Sequence, residues 1–225
     1  MAKDRQKNLI LLLSSLFLIL FTFLFVGNRK QVKVQQNILP SDLSGNVDVN
    51  KRVGLWHGSE VPIPSYIFDI SEKNVLSVVP REDRWIEVDL SEQKLTAWEN
   101  GNIFLESLVS TGLPWWPTPQ GEFHIWLKSR AVTMEGGEGK YYYNLPNVPY
   151  VMFFENEDVP RFKGYGLHGT YWHNDFGNVH SHGCVNLPTS IAKELYYWTY
   201  PMLSNDQRSV YASDDNPGTK IVIHQ

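Results

Sequence analysis

The chain has 225 residues, 42% hydrophobic and 20% charged, a balance that excludes intrinsic disorder and collagen-like repeats and suits one catalytic domain with a short appendage. The net charge of −4 is unevenly divided: residues 1–84 carry eleven Lys/Arg against eight Asp/Glu, and residues 85–225 carry nine against sixteen. The C-terminal portion therefore lacks the concentrated positive face that nucleic-acid binding needs, and the single cysteine, Cys184, excludes an internal disulfide and a cysteine-rich zinc finger.

Residues 1–8 form a basic n-region containing Lys3, Arg5 and Lys7, and residues 9–26 (LILLLSSLFLILFTFLFV) follow without a charge. As a helix, this run would span roughly 27 Å, close to the thickness of a bilayer core. It is longer than an ordinary signal-peptide core, and no A-x-A-like cleavage site follows it. The sequence thus predicts a transmembrane signal-anchor helix, with secretion after cleavage as the alternative. Arg29, Lys30 and Lys33 flank its other end, so the positive-inside rule does not settle orientation. Residues 27–84 are polar and turn-rich and read as a linker or stalk, with a small packed piece around Trp56 to Phe68.

From Trp85 the pattern turns to short strands. In WIEVDL (85–90), Ile86, Val88 and Leu90 alternate with Trp85, Glu87 and Asp89, a period of two. KLTAWE (94–99) and IFLESLVS (103–110) flank Asn100-Gly101, which suits a tight hairpin turn. GEFHIWL (121–127), VPYVMFF (148–154) and TKIVIH (219–224) are further strands, the last closing the sheet. Residues 128–147, with GGEG at 136–139 and YYYN at 141–144, read as a mobile loop. The one convincing helix is about 189–199, where Ile191, Leu195 and Trp198 share a face and Thr189 or Ser190 caps the start. The fold class is mainly β with one or two helices.

The segment LHGTYWHNDFGNVHSHGCVNLP (167–188) holds four of the seven histidines and the only cysteine. One reading is a Cys–His nucleophilic site, in which an imidazole takes the thiol proton and later protonates a leaving amine. Gly183 permits a sharp turn, and the amides of Gly183 and Cys184 would face an oxyanion. A second reading is metal binding by His168, His173, His180, His182 and Cys184, although their spacing matches no paired zinc signature. The third is structural, since a buried cysteine behaves as a small hydrophobe.

HGT at 168–170 followed by SHGCVNL at 181–187 resembles the signature of the YkuD-type L,D-transpeptidases. WIEVDLSEQKLTAWENG (85–101) and VSTGLPWWPTPQGEFHI (109–125) resemble that family's opening strand pair and its STG…TPxG segment, in the same order. The resemblance implies a compact β-sandwich or barrel-like catalytic domain over 85–225. It implies Cys184 as nucleophile, His168 as base and the carbonyl of Gly169 as the group orienting the imidazole. Ser181, His182 and Gly183 would shape the nucleophile's loop and oxyanion site. Trp115, Trp116 and Tyr150 are candidate substrate-binding residues, while His173 and His180 have no assigned role. The implied activity is peptidoglycan 3→3 cross-linking, or transfer to another amine, through a thioacyl-enzyme with release of D-Ala. Alternatives are an L,D-carboxypeptidase using water and a non-catalytic cell-wall-binding module. The implied partners are peptidoglycan stem peptides and, through the N-terminal helix, the membrane. No metal or other cofactor is needed, and the catalytic domain would lie outside the cell membrane.

Overall fold

The computed structural model describes residues 39–69, 83–204 and 206–225. The predicted span 9–26, its flanks 1–8 and 27–38, and residues 70–82 of the stalk lie outside the described residues. Among those described, no helix is long and apolar enough to cross a membrane.

The described residues form eleven strands and one α-helix: β1 (Val53–Trp56), β2 (Ser59–Pro62), β3 (Arg84–Asp89), β4 (Lys94–Glu99), β5 (Asn102–Leu108), β6 (Gly121–Gly136), β7 (Tyr143–Glu155), β8 (Gly166–Thr170), β9 (Val185–Pro188), α1 (Thr189–Trp198), β10 (Ser209–Tyr211) and β11 (Lys220–His224). The sandwich-like expectation resolves into a single hydrogen-bonded sheet in the order β2-β1-β7-β6-β11-β3-β4-β5, with β10 added to β6 and the pair β8–β9 branching from β7.

Alternation holds in β3, where Ile86 and Val88 are fully buried while Trp85, Glu87 and Asp89 keep some exposure. Asn100 and Gly101 take the positive φ angles, 51° and 77°, of the β4–β5 turn. The continuous apolar run of β7 has a different cause: Tyr150, Met152 and Phe154 enter one hydrophobic cluster, and Val151 and Phe153 enter another. A strand covered on both faces does not alternate.

Three sequence expectations change. The stretch 128–147 is not a mobile loop: β6 runs on to Gly136 and β7 begins at Tyr143, leaving only a short turn between them. Bulges between Ile125 and Leu127 and between Val132 and Met134 break the period. Lys128 and Arg130 also disguise the strand, although both are buried. The Lys128 ammonium donates to the carbonyls of Tyr196 and Thr199 at the end of α1, which meets acceptors that a helix C-terminus leaves open. At the other end of α1 neither Thr189 nor Ser190 caps: Pro188 is the N-cap without a side-chain bond, and Thr189 Oγ1 donates to the Thr170 carbonyl at 3.3 Å. Finally, β11 does not end the sheet but lies inside it, parallel to β3 and antiparallel to β6.

The packed piece near Trp56 is the β1–β2 hairpin. β1 pairs with the start of β7, Leu55 opposite Asn144 and Trp56 opposite Tyr143. Leu39, Leu43, Trp56 and Val61 pack on the second hydrophobic cluster, so residues from the predicted stalk extend the same sheet.

Candidate active site

Parallel pairing of β8 with β9 sets His168 opposite Asn186 and Leu167 opposite Val185. Cys184 stands immediately before β9, and its side chain lines the same pocket as His168. The loop entering β9 is held by small polar bonds. Ser181 Oγ accepts the Gly183 N–H at 3.0 Å and donates to the Cys184 carbonyl at 2.5 Å. Gly183 has φ 115°, and a Cβ there would lie 2.5 Å from the Tyr165 ring, so only glycine fits both the backbone and the space. Its N–H is committed to Ser181.

The segment 110–118 straps this loop. Ser181 N–H donates to the Thr111 carbonyl at 3.0 Å, and Leu113 N–H donates to the Ser181 carbonyl at 2.9 Å. Thr118 Oγ1 donates to the Gly183 carbonyl and accepts the Gly112 N–H, both at 2.9 Å. A Cβ on Gly112 would stand 2.1 Å from the Trp116 carbonyl oxygen. Gln93, also buried, accepts the Thr111 N–H at 2.9 Å and donates to Thr111 Oγ1 at 2.7 Å. Gly112 and Thr118 belong to the STG…TPxG segment, whereas Gln93 lies between the opening strand pair, where no local pattern marks its role.

His168, 2% exposed, has Nδ1 3.1 Å from the Gly169 carbonyl oxygen. A carbonyl only accepts, so Nδ1 carries the proton and Nε2 is the basic nitrogen. Burial pushes the imidazole down to about 4, opposed by that carbonyl. Burial likewise pushes the Cys184 thiol up to about 11, opposed by the Gly166 N–H; Sγ lies 3.8 Å from the Gly164 carbonyl oxygen. The resting pair is thus a thiol and a neutral imidazole. Both line one small pocket with Ser181, His182 and Asn186, and its remaining walls are Trp56, Met134, Tyr143, Leu145 and Trp172.

The other candidates divide. His182 is stacked on Trp116 at 4.1 Å between ring centroids; burial, with His57 and His180 nearby, lowers its pKa to about 4, against a bond to the Tyr141 backbone. Trp115 is 45% exposed, and both it and Trp116 pack against Tyr141 of the β6–β7 turn; neither is among the residues lining the pocket. Tyr150, by contrast, is 3% exposed inside the main core beneath the Arg130 guanidinium. It does not line the pocket, to which β7 contributes Tyr143 and Leu145, and its burial leaves no open face for a ligand, so the substrate-binding expectation for it does not hold. His173 accepts the Asp175 N–H through Nδ1 at 3.2 Å, and its Nε2 is 2.9 Å from the Asn186 amide. His180 lies against it at 4.1 Å, and its Nδ1 is 3.8 Å from Asp175. Among the described residues, no group of three or more His, Cys, Asp or Glu side chains is arranged to hold a metal ion. Trp56, Met134, Leu145 and Trp172 were missed as pocket residues, since an apolar side chain in a strand carries no sequence mark of which cavity it faces.

No curated protein is significantly similar to the chain. Among solved structures, a mutant of the Enterococcus faecium L,D-transpeptidase is 30% identical, with 64% of this chain and 50% of that chain covered and a TM-score of 0.47. The L,D-transpeptidase from Mycobacterium smegmatis is 22% identical over 64% of this chain and 59% of that one, with a TM-score of 0.50. The catalytic domain of the E. faecium enzyme acylated by ertapenem is 28% identical over 65% of this chain and 100% of that one, with a TM-score of 0.46. The chain thus spans half the length of the first E. faecium structure. The family profile described as the L,D-transpeptidase catalytic domain, YkuD, matches residues 83–223, well over half of the sequence and all of the strap and the loop entering β9, and the chain belongs to that family.

Proposed function

We propose that the protein is a peptidoglycan L,D-transpeptidase in which Cys184 is the nucleophile and His168 the general base. The supporting observation is that both side chains line one pocket while the Gly169 carbonyl holds the imidazole in the tautomer that leaves Nε2 basic. Cys184 Sγ attacks the carbonyl of the third stem residue, an L-configured centre of a diamino acid, as its proton passes to His168. The tetrahedral oxyanion faces the Cys184 amide. Collapse expels D-Ala, whose amine takes the proton from His168, and leaves a thioester. The side-chain amine of a second stem then attacks the thioester, His168 removes the amine's proton, and a 3→3 cross-link forms. Because the resting thiol is protonated, proton removal accompanies attack rather than preceding it.

The substrate lies outside the cytoplasm, and the uncharged run 9–26 would hold the domain there as a membrane anchor. Protease treatment of intact spheroplasts tests this: the domain should be digested, and protection would defeat both the topology and the substrate.

The central experiment follows D-Ala release from a tetrapeptide stem, with mass analysis of the products. Cys184→Ala and His168→Ala should each lower the rate by about a thousandfold or more while keeping the fold, and His182→Ala should be milder. Retention of more than about a tenth of the rate by either of the first two contradicts these roles. Product masses separate amine capture from hydrolysis by water. A donor, or a carbapenem through its strained lactam carbonyl, should add its acyl mass to Cys184 alone, and Cys184→Ser is the control.

A further inference from the structure

The matched domain begins at residue 83, yet one wall of the pocket comes from a residue before it. Trp56, the last residue of β1, lines the cavity together with His168, Ser181, His182, Cys184 and Asn186. Its placement is fixed by backbone pairing opposite Tyr143 and by the His57 N–H, which donates to the Tyr142 carbonyl at 3.0 Å. Buried Gly54 lets β1 approach closely: a Cβ there would already be 3.0 Å from the Tyr171 hydroxyl, which is itself tied to the Pro146 carbonyl at 2.6 Å. The indole is held by surrounding rings. His57 stacks on it at 4.0 Å, Tyr143 and Trp172 lie at 5.7 Å, and His182 meets it edge-on at 5.8 Å. A ring held this firmly has little rotamer freedom left to lose when a ligand packs against it.

The walls beside Trp56 are carbon: Met134, Tyr143, Leu145 and Trp172. Among the described residues, no Lys, Arg, Asp or Glu lines the cavity, and burial holds its two histidines neutral. A charged ligand group would enter this space without a counter-charge, which is costly, whereas an uncharged aliphatic segment would gain from it.

We propose that Trp56, supplied by the β1–β2 hairpin outside the family domain, is a specificity-determining wall that packs against an uncharged aliphatic part of the acyl donor beside Cys184. This inference rests on the transpeptidase reading for its donor, but the wall itself can be tested without it.

The test uses the full chain in two assays. The first is steady-state D-Ala release for Trp56→Ala, Trp56→Leu and Trp56→Phe. The Ala variant should raise KM about tenfold with kcat within about threefold, the signature of lost uniform binding; Phe should restore both to near wild type. The second is alkylation of Cys184, the only thiol, by iodoacetamide, which needs no transpeptidase activity. Removing the wall opens the thiol to solvent, so alkylation of the Ala variant should be about tenfold faster, for the reason that exposure favours the thiolate. Unchanged KM together with unchanged alkylation overturns the proposal, as does a fall in kcat at constant KM. Should Trp56→Ala not fold, Trp56→Leu keeps an apolar side chain on the hairpin and is read against the same two outcomes. If the wild type releases no D-Ala, the function reading fails, and alkylation alone decides whether Trp56 covers the thiol.

Discussion

Two buried groups with opposite shifts set the chemistry of single residues here. Cys184 is held as a thiol up to about 11 and His168 as a neutral imidazole down to about 4, each because burial disfavours its charged form. The rate of Cys184 alkylation should therefore rise by about tenfold per pH unit from 7 to 10, without the levelling near 8.5 of an ordinary thiol; a plateau near 8.5 would contradict the burial. Gly183 is the other residue with no substitute. Gly183→Ala meets both the Tyr165 ring and an unfavourable φ, and the resulting shift of Cys184 should cost about a hundredfold in D-Ala release and lower the melting temperature by roughly 3–10 °C. Thr118→Val removes both bonds of the strap while keeping its shape. It leaves the Gly112 N–H and the Gly183 carbonyl without that partner, a loss of about 1–3 kcal/mol each, and Thr118→Ser should restore most of it.

Among the elements, the long β6–β7 pair organises everything else. It separates two hydrophobic clusters, receives β1, β8, β10 and β11 along its edges, and supplies the turn on which Trp115 and Trp116 rest. Lys128 joins β6 to α1 through the helix's terminal carbonyls. Lys128→Ala leaves those acceptors unmet in a closed space and opens a cavity. Together these should destabilise by about 2–4 kcal/mol and lower the melting temperature by roughly 5–15 °C. Lys128→Met, which keeps the volume, should lose less. Equal losses in the two variants would assign the whole effect to the unmet carbonyls.

At the scale of the whole molecule, a group of buried histidines makes stability depend on pH. Desolvation is the main cause in each: it lowers His168 to about 4, His173 to about 3 and His182 to about 4 from an ordinary value of 6.5, and it lowers His57 and His180 as well. A base whose folded value is depressed is protonated first in the unfolded chain. Its contribution is fully present above about 6.5 and is lost as pH falls towards 4. The melting temperature should be level between about 7 and 8 and fall steeply between about 6.5 and 4, as a pH series of thermal melts would show. His173→Gln should flatten that fall, and an unaltered slope would place the protons elsewhere.

Legible in the chain alone were the family, the strand pair around the Asn100-Gly101 turn and the helix after Pro188. Each of these is local: a period of two, a turn dipeptide, or a motif whose residues keep fixed spacing. Tertiary structure alone decided the rest. β6 carries charged residues whose burial is acceptable only because distant carbonyls receive Lys128, so its continuation past residue 127 could not be read from its own pattern. Tyr150 and Trp56 exchanged expected roles for the same reason. Backbone conformation and strand pairing, not residue type, determine which ring enters the core and which lines the pocket. Pairing between β1 and β7, strands far apart in the chain, brought the predicted stalk to the pocket, and no local signal specifies a partner at that distance.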